Sequence, residues 1–422
     1  MKSKGTPLKT GPVVGPITRC QICNTTALKP LFAIGHQPPV HGHLTKNGLQ
    51  EPELMYPLAV VRCPSCLLVQ LTYAVPPEII FDLDYPYHSG TTDMLVRNFR
   101  QLADEASKRY DLKKGDLVID LGSNDGTLLQ GFKDKEMRVL GVEPTNVAKF
   151  ANKINKVPTL QKFFTNKLGR EIVKKYGKAK VVTATNVFAH INNVHDFLRG
   201  IKTLLRPDGV FISESQYLLD IVGNLEIDTF YDEHLRYYSI KPMQRLFASG
   251  GFTLVHAQRI RAAGGSIRVY AEPGKRSVDR SVREIVKAET TARIYEDDTF
   301  HQFIERARKV AFVVCKLLAE RKIAGDRIAG LGAPGRGNTL LNFMKINHHH
   351  LDYLGERSSS PKIGLYSPGT HIPIVDEARI IKEQPETLLV LSWHIADELI
   401  PMMRKRGYKG QFLVPLPEAR LI

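Results

Sequence analysis

The sequence predicts an α/β protein in three parts: a cysteine-rich N-terminal module, a doubly wound parallel sheet, and a second, smaller Rossmann-like sheet. Two C-x-x-C pairs, Cys20/Cys23 and Cys63/Cys66, mark the first part. Short apolar strands alternating with helices, from GDLVIDLG to DGVFISESQYL, mark the second. Strands and helices in alternation bury their apolar faces as a sheet covered on both sides. A later strand–glycine loop–helix unit, DRIAGLGAPGRGNTLLNF, marks the third.

In the first part, each two-residue spacer lets a tight turn aim both thiolates at one metal. Two such knuckles read as one tetrahedral, four-cysteine zinc site, structural because no coordination position stays open. The long gap between them implies an inserted subdomain, in which His36, His41 and His43 read as loop residues rather than ligands. The fifth cysteine, Cys315, lies in a helical pattern and reads as an ordinary buried thiol. The expected divisions are a loose basic tail at 1–16, the zinc module at 17–80, the central sheet domain at 81–275, a helical connection at 276–322 and the C-terminal domain at 323–422.

In the central part, a helix from about Met94 to Tyr110 precedes the strands of GDLVIDLG, MRVLGVEP, VPTL, AKVVTATNVFAHI and DGVFISESQYL. A helix from Ile240 follows. GFTLVHAQRI and GGSIRVYAE, joined only by a tight AAGG link, predict an antiparallel hairpin at one edge. Ser277 to about Arg321 is helical and charged. TLLVLSW and QFLVPLP supply further C-terminal strands, and His348–His350 reads as a polar surface loop.

Length and composition agree with this division. A chain of 422 residues exceeds one ordinary core, and 43% hydrophobic with 24% charged residues is a globular composition. No apolar run approaches the ~20 residues that span a bilayer. The start, MKSKGTPLKTGPVVGP, lacks the apolar core of a signal peptide, so a cytoplasmic location without membrane partners is expected. Formal net charge is +16, from 59 basic and 43 acidic side chains, which favours anionic partners or is merely a solvated surface. The basic residues form no run of five, which argues against a nucleic-acid arm.

The chemistry concentrates in four stretches. VIDLGSNDGTLL carries Asp120 to the carboxyl end of a strand, where open α/β sheets bind ligands, and Gly122 and Gly126 allow close backbone approach. It lacks G-x-G-x-x-G and instead resembles the first motif of class I S-adenosylmethionine (SAM) methyltransferases. That resemblance places Asp120, Gly122, Asn124, Asp125 and Gly126 along the cofactor, Glu143 of GVEP on its ribose, and Asn186 near its sulfonium and adenine ends. GLGAPGRGNTLL does match G-x-G-x-x-G, at Gly330, Gly332 and Gly335. Because no acidic residue is expected to close the following strand, it reads as a phosphate cradle for a substrate, with Arg336, Asn338 and Thr339 as added donors. FYDEHLRYYS sets Asp232, Glu233 and His234 among aromatic residues, and NVFAHI ends a strand on His190.

In order, Cys20/Cys23…Cys63/Cys66, YPYHSGTT, VIDLGSNDGTLL, GVEP, NVFAHI, FYDEH, GGSIRV, GLGAPGRGNTLLNF, PGTHIPI and LSWHIADEL resemble the SAM-dependent sugar C-methyltransferases over nearly the whole chain. Members of that family act at C-3 of nucleotide-linked 4-keto-6-deoxy or 4-keto-2,6-dideoxy sugars. The resemblance implies a class I SAM-methyltransferase domain between a zinc-binding domain and a C-terminal Rossmann-like domain that helps bind a dTDP- or GDP-linked 4-keto sugar. It also implies His234 as base, Glu233 as its companion acid, and Tyr231, His190 and either Tyr85 or Tyr87 in the same pocket. Gly332, Arg336, Asn338, Thr339, Trp393 and His394 fall on the sugar-nucleotide side. Two of these depart from the family pattern: Arg336 stands where lysine is usual, and His394 where asparagine is usual. A monomer or weak homo-oligomer without nucleic-acid partners is expected. The rival readings are an RNA methyltransferase, a sugar or phenol O-methyltransferase, and a non-catalytic binding protein. NVFAHI in place of an N-P-P-Y loop, and the absence of an aromatic platform among the basic residues, weigh against RNA.

Overall fold

The computed structural model describes residues 14–80, 88–91 and 93–422. Its central sheet has seven strands. Leu117–Leu121, Arg138–Val142, Thr159–Leu160, Ala179–Thr185 and Leu205–Gln216 run parallel. Phe252–Ile260 and Ser266–Pro273 form the expected antiparallel hairpin at one edge. From Leu117–Leu121 the chain steps outward through Arg138–Val142 to Thr159–Leu160. It then returns to lay Ala179–Thr185 on the other side. That reversal is the switch point at which an open α/β sheet holds its ligand. Every residue of Leu117–Leu121 is buried, as a strand covered on both faces requires. The helix Asp93–Arg109 covers one face with Leu95, Phe99, Leu102, Ala103 and Ala106, a spacing that makes a single apolar stripe.

The zinc module is an antiparallel sheet of Lys29–Gln37, Tyr56–Arg62 and Val69–Leu71. Its fourth strand, Arg236–Tyr237, comes from the central domain. Helices Arg280–Thr291 and Asp297–Ile323 connect to the C-terminal sheet. There Ile328–Leu331, Tyr353–Glu356, Ile374–Asp376, Thr387–Val390 and Gln411–Val414 are parallel. Arg420–Leu421 adds an antiparallel edge strand that hydropathy did not distinguish.

The three parts meet in one apolar cluster, to which the central domain contributes Leu218, Ile221, Leu225, Ile227 and Phe230. Phe32 of the zinc module meets Phe230 edge-on at 5.0 Å between ring centroids, and both rings pack at 5.7 Å from Phe303 of the long connecting helix. Electrostatics ties the same seam. Arg336, in the C-terminal helix Gly335–Met344, donates to Glu226 at 3.0 Å and to Asp228 at 2.8 Å, both carboxylates being fully buried. Trp393 Nε1 donates to Asp228 Oδ2 at 2.8 Å. Removing the guanidinium would leave two uncompensated buried acids, a loss worth about 3–5 kcal/mol for a buried pair. Arg336→Ala is therefore expected to lower the urea midpoint of the zinc-loaded chain strongly, and Arg336→Lys less so; an unchanged midpoint for the alanine variant would show that the seam does not depend on this pair.

Candidate active site

At the switch point the Leu117–Leu121 strand turns sharply at Gly122, whose φ of +72° is open to glycine. A Cβ there would stand 2.3 Å from Val187. Asn124 follows in the left-handed region, and its amide donates to Glu143 Oε2 at 3.0 Å. Thr145 donates to Glu143 Oε1 through its amide at 3.0 Å and its hydroxyl at 2.7 Å. Glu143 is thus fixed at the cavity wall with lone pairs to spare. Asp125 Oδ1 accepts from the amide and hydroxyl of Thr127, the first residue of the helix Thr127–Lys133, at 3.1 and 2.6 Å, and its Oδ2 accepts from Gly90 N at 2.8 Å. Asn186, at φ +55°, ends the Ala179–Thr185 strand opposite Gly122.

A single cavity of ≈ 1810 Å³ runs from this cradle to the C-terminal domain. Gly122, Asn124, Asp125, Glu143 and Asn186 line one end; His190, Tyr231, Glu233 and His234 line the middle; Gly332, Arg336 and His394 line the other end. Pockets for one small molecule run to about 1,000 Å³, so the volume suits two ligands side by side. Asp120 and Gly126 are not on the wall. Asp120 lies behind it, where its Oδ1 accepts from the Thr183 hydroxyl at 2.6 Å and burial pushes its pKa up to about 7.

In the middle, His234 Nδ1 stands 3.0 Å from the Thr229 carbonyl. A carbonyl only accepts, so Nδ1 carries the proton and Nε2 keeps its lone pair. Tyr231 OH lies 3.1 Å from Nε2 and donates to it. Burial, reinforced by His190, holds His234 well below the ordinary histidine range, and burial holds the Tyr231 phenol well above its own. The pair is therefore a neutral acceptor beside a neutral donor.

Several sequence expectations change at this point. Glu233 is not the partner of the His234 ring, which the Thr229 carbonyl orients instead. Glu233 Oε1 lies 3.2 Å from His41 Nε2, and Oε2 lies 3.8 Å from His190 Nδ1. His41, read as a loop residue, is thus part of the site, and only the docking of its module could reveal that. Arg336 reaches the cavity, but its charge is spent on Glu226 and Asp228. Asn338 and Thr339 do not line the cavity: Asn338 Nδ2 donates to the Val40 carbonyl at 2.8 Å, and Thr339 is buried. Trp393 packs on Asp228 instead of lining the wall. An acid does close the strand after the second glycine loop. Glu356 ends Tyr353–Glu356, and its Oε2 accepts from Ala333 N of the loop at 2.9 Å. Tyr85 and Tyr87 lie outside the described residues.

The metal site follows its spacing. Sγ atoms of Cys20, Cys23, Cys63 and Cys66 all lie within 4.8 Å of one another. Cys20–Cys66 and Cys23–Cys63 are each 3.4 Å apart, close to the ~3.8 Å edge of a tetrahedron with Zn–S bonds of about 2.3 Å. His195 of the central domain reaches the knuckle at the Ile22 carbonyl, 3.0 Å away. His348–His350 form a turn whose first two residues are exposed, as expected. Cys315, half-buried, donates to the Met344 carbonyl at 3.0 Å.

Fold, cradle and thiolate cluster define a zinc-containing, SAM-dependent methyltransferase. Family models match in chain order: a zinc binding domain over residues 20–81, a methyltransferase domain over 94–257, and a C-methyltransferase C-terminal domain over 261–417. The C-methyltransferase NovU of Streptomyces niveus is 32% identical over 97% of this chain and 98% of its own length. The chain belongs to the SAM-dependent C-methyltransferases of that three-domain family. Among solved structures, magnesium protoporphyrin IX methyltransferase of Synechocystis with bound SAM is 14% identical, covering 43% of this chain and 82% of its own, at a TM-score of 0.32. The CcbJ methyltransferase of Streptomyces caelestis is 15% identical, covering 42% and 90%, at 0.34. No helix among the described residues is long and apolar enough to cross a membrane.

Cys63→Ser is expected to lose its zinc by elemental analysis and to melt earlier; full retention of the ion would exclude a four-thiolate site. Asp232 offers a second check. Burial raises it to about 8, next to the Glu233 charge, so the folded chain holds a proton there that the unfolded chain releases near the ordinary value of 3.8. Its contribution to stability is complete below that value and is lost as pH rises through about 8. Asp232→Asn should flatten the fall in denaturation midpoint across that window, and an identical slope in the variant would locate the titration elsewhere.

Proposed function

We propose that the protein methylates C-3 of a nucleotide-linked 4-keto-6-deoxy or 4-keto-2,6-dideoxy sugar, carried on dTDP or GDP. The observation that supports this most is the single cavity in which the SAM cradle, the His190–Tyr231–Glu233–His234 group and the second glycine loop meet. A carbon acid needs a neighbouring carbonyl, and a 4-keto group acidifies the C-3 hydrogen. Bound at the cradle, SAM supplies a sulfonium-activated methyl group. Neutral His234 takes the C-3 proton at Nε2, a general-base step worth about 10²–10⁴-fold. Tyr231 turns its hydroxyl from Nε2 to the C-4 oxygen, where one preorganised donor contributes a few kcal/mol. Burial of Glu233 and His234, 3% and 7% exposed, limits the access of water to the enolate.

Glu356 supports the nucleotide half of the reading. An acid at the end of the strand following G-x-G-x-x-G is placed to take sugar hydroxyls. The test is incubation with SAM and a panel of dTDP-, GDP- and CDP-4-keto sugars, read by mass for one added methylene. In deuterated buffer the wild type should exchange the C-3 hydrogen, and His234→Asn should exchange it at least about 10²-fold more slowly. Unchanged exchange in the variant removes His234 from the role of base.

A further inference from the structure

The zinc insert reaches the reacting centre through His41, and its approach is built from both sides. Asp232 Oδ1 accepts from Val40 N at 3.2 Å, while Asn338 Nδ2 donates to the Val40 carbonyl at 2.8 Å. Two residues later Gly42 closes a turn onto the Pro39 carbonyl at 2.9 Å. Leu44 then pairs with Tyr366 of the C-terminal domain through both backbone groups, at 3.0 and 2.8 Å. Between these ties the imidazole of His41 is set against Glu233, 3.2 Å away, with a side chain only 20% exposed. The third glycine of the C-terminal loop makes room for it: a Cβ on Gly335 would stand 3.3 Å from His41 Cε1. A residue with no part in the metal site is therefore clamped in place by the central and C-terminal domains.

We propose that His41 is a positioning residue of the methyl-transfer site: it holds the Glu233 carboxylate against His190 and so makes the zinc module part of the reacting centre. The inference rests on the assignment of Glu233, His190 and His234 to that centre. Glu233 is 3% exposed by its side chain, and a lone carboxylate so buried would sooner be neutral than charged. Burial does push it up, but His41 and then His190 outweigh burial and hold it below the ordinary range. Other groups bearing on it are Tyr231 and Asp232 of its own segment, which feel its charge. Further off, His43 lies beside His41, and Arg336 acts on Tyr231 and His234. None of these four donates to the Glu233 oxygens in place of His41. His190, 15% exposed, stacks edge-on to His234 at 4.8 Å, so a displaced Glu233 is felt at the base through His190.

The test compares His41→Leu with His41→Gln in the full zinc-loaded chain, since glutamine can still donate to Glu233. With a 4-keto nucleotide sugar that the wild type methylates, His41→Leu should cut kcat by about tenfold or more, as loss of the partner of a buried charge predicts. KM for SAM should not change. Its acid limb of kcat/KM should move to higher pH, because Glu233 without His41 protonates more readily. His41→Gln should recover much of the rate, and both variants should keep their zinc. An unmoved acid limb, or equal losses in the two variants, would reduce His41 to a packing residue. Should the wild type methylate none of the panel, the substrate reading fails, and His41 is then judged without substrate. Stability from a carboxylate held below its unfolded pKa is present above that pKa and lost on acidification. His41→Leu should move that acid-side loss to higher pH, and should have no such effect in a Glu233→Gln background. The same shift in both backgrounds would overturn the proposal.

Discussion

The structure depends on one short segment, Glu226 to Tyr237, that buries four carboxyl groups together. Glu226, Asp228, Asp232 and Glu233 are each less than 10% exposed. Buried acids are costly unless something compensates them, and here the compensation comes from other parts of the chain. The C-terminal domain brings Arg336 and Trp393 to the first pair. The zinc module brings the Val40 amide and the His41 ring to the second. The segment also ends as a strand of the zinc-module sheet, and buried Arg236 contacts Gln21 of the first knuckle. The three domains are therefore held in one arrangement by the need to satisfy these groups, with Phe230 supplying the apolar contact at the centre.

The same segment shows how adjacent acids acquire opposite states. Asp232 and Glu233 are neighbours in sequence, and both are buried. Asp232 receives one backbone amide and is held high; Glu233 faces two imidazoles and is held low. Partner chemistry, not burial, separates them, and such divergence is what acid–base chemistry near neutral pH needs. Their directions reinforce the separation: Asp232 reaches the zinc-module backbone, while Glu233 lines the cavity.

How much of this is legible in the sequence depends on how local each cause is. The strand order leaves a local record, since apolar runs, turn glycines and helix spacing all act within a few residues. Gly122, Asn124 and Glu143 fall on the cavity wall for that reason, and the paired cysteines fall in one cluster. Asp120 stands one layer behind the wall because its strand delivers it sideways to Thr183. Glu356 escapes notice because YLGE is a four-residue strand whose length gives no periodicity to read. Arg336, Asn338 and Trp393 look like ligand groups because their loop and strand-end positions suit ligands; they bind protein because the neighbouring domain arrives with complementary groups. His41 has no local signal at all. Its role exists only once Val40 is gripped from two domains.

The Tyr231–His234 pair bears on which atom is methylated. In the free site its donor and acceptor satisfy each other, so neither is left buried without a hydrogen bond. A ligand entering between them must offer an acceptor for the phenol and a proton for Nε2 at adjacent atoms. An enolisable ketone does so through O=C–C–H, and transferring that proton strengthens the phenol's hydrogen bond as charge gathers on oxygen. An alcohol awaiting O-methylation offers both functions at one atom and develops its charge on the oxygen that must attack. A phenol donor there would stabilise that charge and blunt the nucleophile. The high pKa of Tyr231, which keeps it a donor throughout, therefore suits reaction at carbon, and the low pKa of His234 keeps Nε2 unprotonated.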